Sequence, residues 1–239
     1  MTKFKALFGV DASEIKKNCI LLPLLPKGIL AEFKINSLTK GKLFCSGNHN
    51  DYTVIQTGMG AAFTADAVLY LKETVCENII LFGSCGLVNK NNGLDIGSLV
   101  APSKCWENES FSELLKDKFK KSNIFYPDAD LFKVLLTYRR EIGVKEVSCA
   151  TLGSLRLEEE MHDSLIKEQV DVVEMECSAF FAAAKHCALK AAALFYVSDI
   201  INEKPFYFDM EPELKAKIFS AVKSAVNLIC ESFKNNLRV

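Results

Sequence analysis

Features typical of nucleic-acid-binding, membrane and secreted proteins are scarce in this sequence of 239 residues. Its 29 basic and 30 acidic residues leave a net charge of −1, so no basic surface is expected to attract nucleic acid or an anionic membrane. Charges interrupt every apolar run before the ~20 residues that a membrane span needs. The first residues lack the apolar stretch and cleavage site of a signal peptide. These absences predict a cytoplasmic protein with no nucleic-acid or membrane partner.

Patterns that would indicate a metal site or a disulfide framework are also missing. The nine cysteines are odd in number, none belongs to a CxxC motif, and most lie inside apolar runs. The three histidines are scattered along the chain, whereas a zinc site requires clustered Cys and His ligands. Reduced thiols in the core are therefore expected, with no metal and no cofactor.

Apolar, β-branched runs do alternate with helical patterns along the chain. Strands are predicted at 18–25, 51–57, 77–84, 97–103, 145–152, 170–175 and 192–198, with 41–47 as a hairpin partner of 51–57. Helices are predicted after Gly60 and at 128–143, 177–189 and 211–236. Because several strands are apolar throughout, they should be buried on both faces. The pattern predicts one α/β domain over residues 1–239, with a central mixed, twisted sheet flanked by helices.

Small residues end two of the predicted strands, at the edge where ligands bind in such sheets. In "QTGMG", Gly58 and Gly60 allow a tight turn before a helix N-terminus, which suits either a ligand site or a simple structural turn. Phe63 stands where the dinucleotide motif GxGxxG needs its last glycine, which disfavours a nucleotide cofactor. In "GSCG", residues 83–86 offer backbone amides to an anion or a heterocycle.

Acidic residues end two other apolar strands. Glu174 and Glu176 lie between a strand and a helix, and Asp199 ends the strand at 192–198. Spaced i and i+2 in extended chain, the two glutamates point to the same face. Two interpretations are open. The glutamates are either solvated loop charges or helix caps, or they are carboxyls that converge in a partly dry crevice and transfer protons. The position of Asp199 at the same edge favours the crevice.

Together these motifs resemble the nucleoside phosphorylase and nucleosidase superfamily. "TGMG", "LFGSCGLV", "VVEMECSAFFAAA" and "FYVSDI" follow its order and approximate spacing over about residues 7 to 200. The superfamily includes purine nucleoside phosphorylases, uridine phosphorylases and methylthioadenosine/adenosylhomocysteine nucleosidases. The resemblance implies a phosphorylase/hydrolase-like α/β fold, a small-molecule nucleoside as substrate, cleavage of its N-glycosidic bond, and a homo-oligomer, either dimer or hexamer.

Matching positions imply roles for individual side chains. Glu176 resembles the glutamate that holds the ribose hydroxyls, and Met175 the methionine that packs on the sugar. Asp199 resembles the aspartate that protonates the imidazole side of a leaving purine, and its pKa is expected to be raised by burial. A pyrimidine lacks that ring nitrogen, so a purine nucleoside is implied. Other expected pocket residues are Gly58, Met59, Ser84, Cys85, Gly86, Leu155, Arg156, Glu174 and Ser198. For Glu174 a local capping role stays open.

Arginine is scarce, and this bears on the nucleophile. Only four of the 29 basic residues are arginines. Phosphorylases of the superfamily hold phosphate with arginines, yet Leu81 and the loop at 21–30, whose one basic residue is Lys27, occupy the matching positions. Lysine lacks arginine's planar fork for phosphate. Hydrolysis is therefore favoured. Phosphorolysis at a degenerate site, with inorganic phosphate as co-substrate, and a non-catalytic nucleoside-binding protein are the alternatives.

The N-terminus matches the superfamily in two registers. If "LFGVDASEI" (7–15) is the first strand, Glu14 matches the glutamate that activates water and is a candidate catalytic residue. If "CILLPLLP" (19–26) is the first strand, Glu14 lies outside the site. The proline pattern favours the second register.

Overall fold

The computed structural model describes residues 1–90, 93–116, 123–137 and 143–235. The strands in these ranges are β1 Asn18–Leu22, β2 Thr39–Lys40, β3 Cys45–Asn48, β4 Thr53–Gln56, β5 Asn78–Leu87, β6 Leu99–Asn108, β7 Ile124–Phe125, β8 Lys145–Leu152, β9 Val172–Glu174 and β10 Lys190–Ile200. The helices are α1 Lys3–Phe8, α2 Ile29–Glu32, α3 Ala61–Leu71, α4 Phe111–Leu114, α5 Ala129–Thr137, α6 Leu155–Lys167, α7 Cys177–Cys187 and α8 Pro212–Asn235, with a 3₁₀ helix at Ala12–Glu14.

All ten strands belong to one mixed sheet. Their order is β10-β6-β8-β9-β5-β1-β4-β3-β2, with β7 beside β6. Because β10 also pairs with β5, the strands β5, β9, β8, β6 and β10 close into a ring. Strands β4, β1, β5 and β10 run parallel to one another. Their carboxyl ends therefore share one edge of the sheet, which is where ligands bind in folds of this kind.

Helices cover both faces of the sheet, as the continuous apolar strands require. One buried cluster joins the sheet to α1, α3 and α7, and a second joins it to α2, α5 and α8. A third, smaller cluster lies under α6. None of the helices described is long and apolar enough to cross a membrane. The architecture is the single-domain α/β fold that the sequence predicts.

The predicted strands are all present, and three of them are longer than predicted, among them β10, which spans Lys190–Ile200. Strand β5 continues to Leu87 and β6 to Asn108, because β5 pairs along its length with β10, and β6 with β8. The predicted hairpin is formed by β3 and β4. Of the helix predicted at 128–143, the structure contains α5, while residues 138–142 lie outside the described residues. Arg139, Arg140 and Arg238 lie outside them too.

The structure follows the second N-terminal register. Strand β1 lies in "CILLPLLP", whereas "LFGVDASEI" spans the end of α1 and the 3₁₀ helix. Gly9 ends α1 in the left-handed conformation, with φ of +82°, which glycine adopts without steric cost. A Cβ there would lie 2.5 Å from the carbonyl oxygen of Thr39. The reading of this segment as the first strand is therefore wrong.

Helix α6 is absent from the sequence-based prediction. Its segment, "LRLEEEMHDSLIK", contains three consecutive glutamates that obscure its apolar side. Leu157, Met161 and Leu165 recur every four residues and are buried, which is the helical period. Ser154 caps the helix by accepting a hydrogen bond from the backbone N–H of Leu157. The helix places its first turn at the sheet edge where β5 and β10 end.

Candidate active site

A cavity of about 210 Å³ opens at the carboxyl edge of the sheet. It lies where β5, β9 and β10 end, beside the loop that follows β1 and the first turn of α6. Of the residues predicted to form the site, it brings together Met59, Ser84, Cys85, Gly86, Leu155, Glu174, Met175, Glu176, Ser198 and Asp199. The strand-end argument thus located the cavity, because the closed ring of strands draws these ends to one place.

Glu174 is held almost entirely by the protein itself. Its Oε2 atom accepts hydrogen bonds from the backbone N–H groups of Glu176 (2.7 Å) and Cys177 (2.8 Å) at the start of α7. Its Oε1 atom accepts a hydrogen bond from the hydroxyl of Thr151. Burial raises the pKa of the Glu174 carboxyl well above its usual range. Glu174 therefore caps the start of α7 and fixes the backbone of Glu176. It also borders the cavity.

The carboxylate of Glu176 is held by the turn that precedes α3. One oxygen accepts a hydrogen bond of 2.6 Å from the backbone N–H of Gly60, just before α3. Burial raises the pKa of Glu176 to about 7, opposed by hydrogen bonds from the backbone N–H groups of Gly60 and Met175. Gly60 has a φ of +108°, a value that side chains disfavour. The glycine turn before α3 thus positions Glu176.

A β-bulge directs Asp199 into the cavity. Along the parallel pair of β10 and β5, Val197 faces Cys85 and Asp199 faces Gly86, so Ser198 is the extra residue. The Ser198 hydroxyl lies 2.5 Å from Oδ1 of Asp199 and 3.3 Å from the carbonyl oxygen of Cys85. Burial raises the pKa of the Asp199 carboxyl, and the hydrogen bond from Ser198 opposes this. The direction agrees with the sequence-based expectation.

Glu158 is a cavity residue that the sequence reasoning missed. It lies in the first turn of α6, is 9% exposed, and borders the cavity. Burial, together with the charges of Asp199 and Glu159, raises its pKa to about 8. The sequence did contain a signal for the burial of Glu158. It follows Leu157, which forms a row of buried apolar residues at helical spacing with Met161 and Leu165, so recognising this helix would have placed Glu158 next to its buried side.

Gly86 separates the two acids of the inner cavity. A Cβ atom on Gly86 would lie 3.0 Å from Oε1 of Glu158 and 3.5 Å from Oδ2 of Asp199. Glu158 and Asp199 therefore converge on one small space, which stays open because residue 86 has no side chain. The segment "GSCG", which lies within β5, contributes this room.

The charge of the cavity is one-sided. Four buried acids border it, Glu158, Glu174, Glu176 and Asp199, each between 5% and 9% exposed. Among the described residues of its lining, none is a lysine, arginine or histidine. An anion placed here would meet carboxyl groups without a cation to pair with.

The rim of the cavity is apolar and open. Leu24, Met59, Leu155 and Phe206 border it and are each 41–53% exposed. Phe206 belongs to the aromatic segment "PFYF", in which Phe206, Tyr207 and Phe208 are 53–67% exposed. This aromatic segment lies on the surface, with Phe206 beside the cavity.

Three predicted site residues do not reach the cavity. Glu14 is exposed and accepts a hydrogen bond from the backbone N–H of Asp11. It precedes β1, whose five residues span ~16 Å, so it lies towards the opposite edge. Arg156 is 72% exposed and pairs with Glu159 and Glu160. Gly58 shapes the turn before α3 with a φ of +82°, while its neighbour Met59 borders the cavity.

A model of the phosphorylase superfamily matches residues 21–230. The chain therefore belongs to the phosphorylase superfamily and is an enzyme of N-glycosidic bond cleavage, of the nucleosidase or the nucleoside phosphorylase type. A comparison with curated proteins finds no significant match.

Solved structures of several such enzymes share the fold. A uridine phosphorylase from Vibrio fischeri superposes with a TM-score of 0.76 at 17% identity, covering 95% of each chain. Purine nucleoside phosphorylase from Toxoplasma gondii gives 0.73 at 14% identity, covering 98% of each. Methylthioadenosine/S-adenosylhomocysteine nucleosidase from Campylobacter jejuni gives 0.70 at 18% identity, covering 91% of this chain and 98% of that one. At these identities the likeness establishes the fold and leaves substrate and nucleophile open.

Proposed function

We propose that this protein hydrolyses the N-glycosidic bond of a purine nucleoside, with water rather than phosphate as the nucleophile. The observation that carries the proposal is the charge of the cavity. Four buried acids line it, and the described lining has no basic side chain. Phosphate is a dianion for much of the neutral range, and burying it beside carboxyl groups would be costly. Water carries no such penalty.

The two outward-facing acids suit the two ends of a nucleoside. The Glu176 carboxylate, held by the backbone of Gly60, accepts hydrogen bonds from the ribose hydroxyls and stabilises positive charge that develops on the sugar. Asp199, whose pKa burial raises, donates a proton to the imidazole nitrogen of the departing purine. A pyrimidine offers no nitrogen at that place, which supports a purine substrate.

The acidic lining of the cavity also favours a substrate without negative charge. A 5′-phosphate would bring an anion towards a site without a described basic partner, so nucleosides should be preferred over nucleotides. Glu158 lies beside Asp199, on either side of Gly86. When protonated it donates a hydrogen bond and when ionised it accepts one, so it is suited to reading polar groups of the base.

Base release is the direct test. The protein is incubated with adenosine, inosine, methylthioadenosine, uridine and AMP, each with and without inorganic phosphate, and free base is measured. Release from purine nucleosides in the absence of phosphate, with little from uridine or AMP, is expected. Release that requires phosphate would identify a phosphorylase and overturn the proposed nucleophile.

We also propose that the chain assembles into a homo-oligomer at the rim of the cavity. Met59 and Phe63 are 52% and 47% exposed on the turn and first residues of α3. With Leu24, Leu155 and Phe206 they make an apolar surface beside the site. Contiguous apolar surface of this kind typically marks an interface. A second copy would bury it and narrow the opening.

A further inference from the structure

Three cysteines that are far apart in the sequence meet beneath the active site. Cys105 lies on β6, Cys149 on β8 and Cys177 at the first position of α7. Cys105 and Cys149 are direct partners in the parallel ladder of β6 and β8, so their side chains point to the same face of the sheet. The Cys177 thiol lies beside this pair and interacts with both thiols. All three are fully buried.

Glu174 turns one oxygen towards these thiols. Its Oε1 atom lies 3.9 Å from Sγ of Cys149, while Oε2 is occupied by the two backbone N–H groups that begin α7. The Sγ atoms of Cys105 and Cys149 and a carboxylate oxygen of Glu174 all lie within 4.8 Å of one another. Two thiols and an anchored carboxylate therefore face a common point, with the third thiol beside it.

Glu174 is surrounded by hydrogen-bond donors, and the described residues give it no cationic partner. A buried carboxylate normally needs a positive partner or a full set of donors. Among the described contacts of Glu174 there are hydroxyl, thiol and backbone groups and the acid Glu176, but no cationic side chain. Metal-binding carboxylates are commonly held by hydrogen bonds to their other oxygen. Glu174 has this feature already.

We propose that Cys105, Cys149 and Glu174 bind a thiophilic divalent cation of the Zn²⁺ type, and that the neighbouring Cys177 thiol moves in as the fourth ligand. Soft thiolates favour such ions. Tetrahedral zinc with Zn–S bonds of about 2.3 Å separates its ligand atoms by roughly 3.5–3.8 Å. The ligand atoms of Cys105, Cys149 and Glu174 lie up to 4.8 Å apart and thus require a contraction of about 1 Å, and Cys177, which lies outside this group, must approach it. Four protein ligands leave no open position, as in structural rather than catalytic zinc sites.

The site would join the active site to the core. It ties β6 and β8 to the first turn of α7, and Glu174 holds the backbone of Glu176 through its other oxygen. The expectation that the chain binds no metal relied on its scattered histidines and on the lack of a CxxC motif, whereas the fold brings together cysteines that are far apart in the sequence. Because the three cysteines are fully buried and Glu174 is 5% exposed, we expect the ion to enter as the chain folds.

Metal content tests the proposal independently of enzymatic activity. The full chain is produced with zinc in the medium, purified with a reductant and without chelator, and analysed by elemental and native mass spectrometry. About one zinc ion per chain is expected. Cys105→Ser and Cys149→Ser should each weaken zinc binding by at least 10–100-fold. Cys187→Ser, at the opposite end of α7, is the matched control and should keep the full metal content.

A second measurement does not depend on the variants folding. The wild-type chain is unfolded, refolded under reductant with Co²⁺, and examined for thiolate-to-cobalt charge-transfer absorption. Bands of a tetrahedral site with several thiolates are expected. Wild-type protein without metal after both procedures, or a Cys105→Ser variant that keeps its zinc, would overturn the proposal. Neither result would bear on the proposed hydrolysis, which base release tests separately.

Discussion

At the residue scale, Asp199 is the proposed proton donor, and its position and pKa suit that role. The bulge at Ser198 turns it towards Gly86, and burial raises its pKa, so a proton is retained at higher pH than in water. Asp199→Asn keeps the shape and removes the proton donor. We expect kcat for purine release to fall by roughly 10²–10⁴-fold while KM changes little. Steady-state kinetics check this, with Glu160→Asn, an exposed change on α6, as control. Full activity of Asp199→Asn would refute the role.

Gly86 provides a second prediction at the residue scale. A Cβ there meets Glu158 and Asp199 at 3.0 and 3.5 Å, whereas a Cβ on Gly83 has its nearest contact at 3.7 Å. Gly86→Ala should therefore displace the acids and reduce kcat/KM by about tenfold or more, on the order of 1.4 kcal/mol or above, and Gly83→Ala should change it little. Both glycines lie on β5 and border the cavity. Equal kinetics for the two variants would contradict this reading of Gly86.

Glu158 links the site to stability. Its pKa of about 8 in the folded protein lies above the usual value of about 4.3. Because the folded state then holds a proton that the unfolded state releases, stability falls as pH rises between these values. Asp199 on β10 and Glu159 on the same helix are the acids that face it. Glu158→Gln should be more stable than wild type at pH 8, by on the order of 3 kcal/mol.

Urea denaturation at pH 5 and pH 8 measures this effect. The gain should be largest at pH 8 and much smaller at pH 5, where Glu158 is protonated in the folded protein and the pH is only slightly above its unfolded pKa. Glu160→Gln is the control, since Glu160 is exposed and pairs with Arg156 on the surface. A gain of equal size at both pH values would show that ionisation of Glu158 is not its cause.

At the scale of elements, the junction of β9 and α7 is the critical one. Glu174 accepts hydrogen bonds from the backbone N–H groups of Glu176 and Cys177, where α7 begins, and from the hydroxyl of Thr151. Glu174→Ala leaves these donors buried without an acceptor, which should cost about 2–4 kcal/mol of folding free energy. It should also lower activity, because the backbone of Glu176 is no longer fixed. Glu174→Gln, which keeps one carbonyl oxygen, should recover part of the stability in urea denaturation.

Helix α6 explains which part of the site was hard to predict. Glu174, Glu176 and Asp199 stand at strand ends that apolar runs mark clearly. Glu158 lies in an acidic segment whose helical period rests on three apolar residues. The burial of Glu158 depends on α6 packing beside β5 and β10, which no local pattern specifies.

At the scale of the whole molecule, we propose that two copies of the chain meet at the rim of the cavity. Met59, Leu155 and Phe206 at the rim, and Phe63 at the start of α3, are about half exposed, and in this proposal a second chain buries them. We expect an oligomer by light scattering, and Phe63→Asp should shift it towards monomer because a buried carboxylate opposes association. Ser110→Asp, away from this surface and at the start of α4, is the control. A wild-type monomer at all concentrations tested would refute the interface.

The sequence by itself determined most of the strands, four of the helices and their order. Continuous apolar strands, alternating helices and small or acidic strand ends are local patterns that predicted the α/β sheet, and together with the family resemblance they predicted ten residues around its cavity. Only the tertiary structure decided between the two N-terminal registers, and so removed Glu14. It also brought Glu158 beside Asp199 and joined Cys105, Cys149 and Cys177 beneath Glu174. The reason is physical: these meetings depend on strand pairing across long separations and on how helices pack over the sheet, and neither is encoded in a short stretch of residues.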